Sequence, residues 1–149
     1  RIYAQKTSAA FEVAVQVGAA AAGVDAETRA QLSAFSQAVG TAYQIQDDIE
    51  DFRSVRGRAA DLLAMRPTLF LAAACTCEQP AVRRALHAVW EGDAAGRERL
   101  IDAITEAGLH TRVELLYAHY KHETERVLSG VPHSGLKRLL RRIMARMLR

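Results

Sequence analysis

Apolar residues recur along this chain at spacings of three and four, and no segment alternates with the period of two that a half-buried strand requires. The pattern predicts a first helix from near Lys6 to Ala22, rich in Ala and Val, stopped at Gly23. Asp25 is placed to cap a long second helix running to about Phe52. From Ala34 to Ile45 that helix holds no charged residue, so it should be buried on most of its circumference. Arg53 to Arg58 reads as a basic loop around Gly57, and Ala59 to Met65 as a short helical piece. Pro67 suits the first turn of the next helix and Pro80 that of another, because a missing N–H has no partner there anyway. Gly92-Asp93 ends the Pro80 helix, which carries Val82, Leu86, Val89 and Trp90. Further helices are expected from Ala94 to Ala107, from His110 to Leu128 with Leu115, Leu116 and Tyr120 on one face, and from Leu136 to Leu148 with a stripe of Leu139, Leu140, Ile143 and Met147. The expected class is an all-α helical bundle with short connections, a single domain over residues 1–149.

The chain has 149 residues, half of them apolar and a quarter charged, which excludes disorder as the default. Its apolar runs, such as Leu69 to Cys75, are too short to span a bilayer. Charge is unevenly spread. Residues 137–149 carry six Lys/Arg and no acid, leaving 14 basic against 17 acidic residues elsewhere. The basic final helix, 136–149, has several readings: peripheral contact with an anionic membrane, closure over a diphosphate, or a solvated outer face, which is favoured. Nucleic acid is not expected as a partner, because aromatic interleaving is lacking and the rest of the chain is net acidic. Cys75 and Cys77 make a poor disulfide and an incomplete zinc site, so they read as core thiols in a reducing, cytoplasmic compartment. The aromatic and histidine group Tyr117, His119, Tyr120 and His122 reads as helix packing, and Trp90 as a core or interface anchor.

The sharpest local feature is Gln44-Ile45-Gln46-Asp47-Asp48-Ile49-Glu50-Asp51. On a helix, Asp47, Asp48 and Asp51 are neighbours at offsets of three and four, where like charges repel. Proximity to a buried helix strengthens the repulsion, so a compensating cation is expected. Mg²⁺ suits such a site, since it takes one or two carboxylates together with phosphate oxygens. The plainer alternative is solvation, or pairing with Arg53, Arg56 and Arg58. Gln44 adds an amide one turn before Asp48.

These residues resemble the second aspartate-rich motif of the trans-isoprenyl diphosphate synthase (polyprenyl synthetase) family, with Tyr43 where Phe is common. Lys6-Thr7-Ser8 is similar to that family's upstream Lys-Thr pair. Asp61-Leu62-Leu63-Ala64-Met65-Arg66-Pro67-Thr68-Leu69 is similar to its downstream block, which usually reads Asp-Leu, two variable residues, Gly-Lys, one variable residue, Thr-Leu. The stretch around Pro132, Ser134 and Leu136 to Leu140 resembles the closing helix. The resemblance implies an isoprenoid-synthase bundle, apparently its C-terminal half, and Mg²⁺-assisted ionisation of an allylic diphosphate followed by attack of isopentenyl diphosphate. It implies that Asp47, Asp48 and Asp51 hold Mg²⁺, and that Lys6, Arg56 and Arg66 bind substrate diphosphate. Asp47, Lys6, Thr7 and Gln44 are implied as the catalytic set, Thr7 supporting Lys6 and Gln44 orienting the allylic end. A homodimer is also implied.

The departures from the family pattern matter. The first aspartate-rich motif and the basic residues that hold isopentenyl diphosphate are absent from these 149 residues. Met65-Arg66 stands in place of Gly-Lys, Arg56 in place of another Lys, and the Phe52 to Asp61 stretch is short. Arg keeps the charge of Lys but changes donor geometry. Three functions therefore compete: a chain-elongating prenyltransferase whose remaining half lies elsewhere, a class I terpene cyclase, and a non-catalytic helical subunit of a prenyltransferase. Missing packing partners should leave an exposed apolar surface.

Overall fold

The computed structural model describes residues 7–54 and 60–148, and every regular element among them is helical. In chain order these are α1 (Thr7–Ala21), α2 (Ala26–Arg53), α3 (Ala60–Leu63), α4 (Leu69–Thr76), α5 (Pro80–Trp90), α6 (Ala94–Glu106), α7 (Leu109–Gly130) and α8 (Ser134–Met147). The all-α expectation holds, and no described helix is long and apolar enough to cross a membrane. The chain forms two compact units, Arg1–Gln46 with Tyr117–Arg149, and Asp47–Leu116.

The first unit is built on α1, most of α2, the later part of α7, and α8. Its core holds Ala19, Leu32, Phe35, Val39, Ala42, Leu128, Val131, Leu140 and Leu148, with Phe11, Tyr117, Tyr120, Ile143 and Met147 packed against it. The uncharged middle of α2 is mostly buried, as the sequence predicts, leaving Ala34, Gln37 and Tyr43 exposed. Asp25 caps α2 by accepting the Thr28 N–H at 2.7 Å, and that bond holds its carboxyl below the usual carboxylate range. α1 and α2 approach closely at one place. A methyl group on Gly40 would lie 2.7 Å from the Ser8 Cα, so only glycine lets the first turn of α1 pass. The outer side of α1 leaves Val13 and Val17 exposed, an apolar face without a covering element within the unit.

The second unit uses shorter helices. α5 begins with Pro80 at its first position and turns Val82, Ala85, Leu86 and Val89 inward at helical spacing. Asp93 caps α6 through the Ala95 N–H at 2.9 Å, and Leu100, Ala103 and Ile104 face inward. α5 and α6 pack against each other.

Several expectations are corrected. Pro67 precedes α4 rather than opening it, because Thr68 takes the cap position and its Oγ1 accepts the Leu71 N–H at 3.1 Å. Cys75 is exposed and Cys77 half-buried, so they are not core thiols: the apolar run that contains them turns only Phe70 and Ala74 fully inward. Trp90 is 61% exposed, which excludes a core role among the described residues. Leu115, Leu116 and Leu139 are also exposed. Leu139 is displaced from the predicted stripe because Leu136, Leu140, Ile143 and Met147 already fill the inward arc of α8.

Candidate active site

The acidic run occupies the last two turns of α2, where the hydrophobic pattern of that helix ends. Asp47 is exposed, Asp48 is 7% exposed and Asp51 is half-buried, so the three carboxylates occupy different environments. Asp48 Oδ2 accepts the N–H of Leu69, the first residue of α4, at 2.7 Å. Asp51 Oδ2 accepts the N–H of Asp61, in α3, at 3.1 Å. The first N–H groups of a helix lack intrahelical partners, and the positive end of the peptide dipoles favours an anion there. Backbone amides therefore offset part of the repulsion within the acidic run. Each of the two carboxylates accepts its backbone bond through a single oxygen.

The same two turns secure the block from Asp61 to Phe70. Phe52 stacks on Phe70 at 4.1 Å between ring centroids, with 7° between planes. Within the block, Arg66 pairs with the Asp61 carboxylate at 2.6 Å, both side chains being partly exposed. Met65 adopts φ 55°, in the left-handed region. Its N–H bonds Leu62 O at 3.0 Å and the Arg66 N–H bonds Asp61 O at 2.9 Å, the paired closure that usually ends a helix on glycine. α1 and α5 end in the same way on Gly23 and Gly92, with φ 63° and 82°. A side chain in this conformation costs about 1–2 kcal/mol. Met65 thus carries strain at the position where the related block normally has Gly.

The other predicted residues divide as follows. Gln44 is buried in the first unit, and so is Gln46, whose Oε1 accepts the Tyr117 hydroxyl at 2.9 Å. Tyr117 is a member of this network that sequence reasoning assigned only to packing. Arg53 pairs with Glu114 at 2.6 Å. Lys6, the side chain of Thr7, and Arg56 lie outside the described residues. Among the described residues, no three His, Cys, Asp or Glu side chains form a ready-made ion site. Mg²⁺ does not demand one, because it is commonly held by one or two carboxylates plus substrate phosphates. The exposed Asp47 and half-buried Asp51, one helical turn apart, supply hard oxygen donors of that kind.

Within the second unit, beside the end of α2, lies a cleft of about 560 Å³ lined by Phe52, Ser54, Ala94, Arg97, Glu98 and Ile101, among others. Asp47, Asp48 and Asp51 do not line it.

Residues 1–107 match the polyprenyl synthetase family. The chain belongs to that family. It is 33% identical over 143 residues, 92% of its own length, to a protein of Geobacillus stearothermophilus named heptaprenyl diphosphate synthase component 2. It is 31% identical over 98 residues, 64% of its length, to a geranylfarnesyl diphosphate synthase of Methanosarcina mazei. The chain spans 44% and 32% of the lengths of these two relatives. No solved structure matches it significantly.

Proposed function

We propose that the chain forms part of a prenyl-chain-elongating transferase that joins an allylic diphosphate to isopentenyl diphosphate. The observation that carries this reading is the acidic run on α2, with Asp48 and Asp51 fixed by backbone N–H groups and Asp47 exposed beside them. Asp47 and Asp51 would hold Mg²⁺. Asp48, buried and bonded to the start of α4, acts chiefly as the positioning residue that keeps the following block in place. Bound Mg²⁺ supplies positive charge to the diphosphate. Lys6 contributes a further donor to the leaving pyrophosphate, with Thr7 supporting it, and preorganised charge of this sort is usually the largest contribution to such catalysis. Arg56 and Arg66 belong to the diphosphate end. Arg66 serves there by exchanging its exposed partner Asp61 for phosphate. Gln44 orients the allylic chain. Turnover requires further helices, in the same polypeptide or in a partner subunit, because the first aspartate-rich motif is absent from these residues and α1 exposes Val13 and Val17.

A second reading is favoured by two observations. Met65-Arg66 replaces Gly-Lys at a strained turn, and one relative is named as a component, so the chain is alternatively a non-catalytic subunit. Incubation of the full-length protein with Mg²⁺, isopentenyl diphosphate and an allylic diphosphate separates the readings. Chain-extended diphosphate that disappears in Asp47→Ala supports the transferase. Hydrocarbon from the allylic diphosphate alone indicates a cyclase. No turnover, with tight binding to a homologous subunit, indicates the non-catalytic role and overturns the first reading.

A further inference from the structure

The last helix has two faces of opposite chemistry. Leu136, Leu140, Ile143, Met144 and Met147 turn toward the core of the first unit. Arg138, Arg141, Arg142 and Arg146 are all exposed. At about 100° per residue, these four guanidinium-bearing positions fall within an arc of about 140°, opposite the buried stripe. Among the described residues no carboxylate pairs with any of them, whereas Arg53, Arg66, Arg99 and Arg126 each have an acidic partner. Lys137, at the edge of the arc, donates instead to the Ser129 carbonyl at 2.8 Å, which ties the helix to the end of α7. Leu139, 54% exposed, falls at the margin of the basic arc.

We infer that this face of α8 is a docking surface for an anionic phospholipid bilayer. A surface left merely to solvent would be expected to intersperse both signs of charge, as the long helices α2, α6 and α7 do. Four like charges held on a rigid helix, without acid between them, repel one another and are relieved by a dense array of phosphates. A planar membrane fits the straight, one-sided arc better than a nucleic acid. The face has no Asn, Gln, Thr or aromatic side chain with which to read or stack on a base. The exposed Leu139 is suited to the boundary between headgroups and acyl chains. The inference is independent of the catalytic reading, since it uses only residues of α8 and their surroundings.

The test is sedimentation of the full-length protein with vesicles of phosphatidylcholine, alone or mixed with phosphatidylglycerol. The protein should bind the mixed vesicles, ignore the neutral ones, and be released by salt. Each guanidinium near an anionic surface strengthens partitioning roughly fivefold. The joint change Arg138→Gln, Arg141→Gln, Arg142→Gln and Arg146→Gln should therefore weaken binding by roughly several hundredfold, with an unchanged circular dichroism spectrum. Arg83→Gln with Arg84→Gln, which removes exposed charge from α5, should leave binding intact. Three results would each overturn the inference: no binding to anionic vesicles at low salt, equal loss in the α5 variant, or displacement of the protein from vesicles by duplex DNA at equal phosphate concentration.

Discussion

In the unit that contains Phe35 and Leu128, long helices are held by one continuous apolar core. In the unit Asp47–Leu116, α3 and α4 have four and eight residues, and isolated helices of that length are unstable in water. Besides buried Leu62, Ala74 and the Phe52–Phe70 stack, their positions depend on polar anchors to the end of α2, Asp48 on Leu69 and Asp51 on Asp61. The comparison teaches that the acidic run is a structural device as well as a chemical one. The carboxylates proposed for metal and diphosphate are partly the same groups that hold the following block against the end of α2.

Substitutions that break one mode of stabilisation and spare the other sharpen this contrast. The largest effect is expected for Phe35→Ala, which empties the middle of the first core. It should cost about 3–5 kcal/mol in urea unfolding. Asp48→Ala should cost about 2 kcal/mol, because it removes a charged acceptor from a half-buried amide. Its signature differs from that of Phe35→Ala: hydrogen exchange should accelerate in α4 while α1 stays protected. Uniform loss of protection would mean that the anchors are not local. Met65→Gly should raise stability by about 0.5–1 kcal/mol, since it relieves a left-handed side chain at the cost of a more flexible unfolded state. A lowered denaturation midpoint in this variant would show that the Met65 side chain contributes more than its backbone costs.

Much of this architecture is legible in the residues. Gly23, Asp25, Pro80, Asp93 and Gly108 mark helix boundaries through local chemistry, and the structure places ends within a few residues of each. Pro67 misleads because Thr68 offers a better cap one residue later. Leu115, Leu116 and Leu139 mislead for another reason: spacing tells which positions share a face, but not whether anything covers it. At the candidate site, the acidic run is visible in the sequence. Its partners are not, because Leu69 and Asp61 lie 21 and 10 residues away and contribute only backbone N–H groups, which any residue type except proline possesses. The strain at Met65 becomes visible only when φ is known, although the substitution for Gly marks the place.

The contact between Ser8 and residue 40 has a consequence for how the sequence can drift. Gly18, Gly130 and Gly135 have open space where a methyl would stand, so alanine is sterically admissible there. At position 40 even the smallest side chain meets the backbone of the neighbouring helix. A saturation library would therefore leave that codon almost empty of survivors, while a compensating change at Ser8 could restore little, because the obstructing atom is one that every amino acid carries.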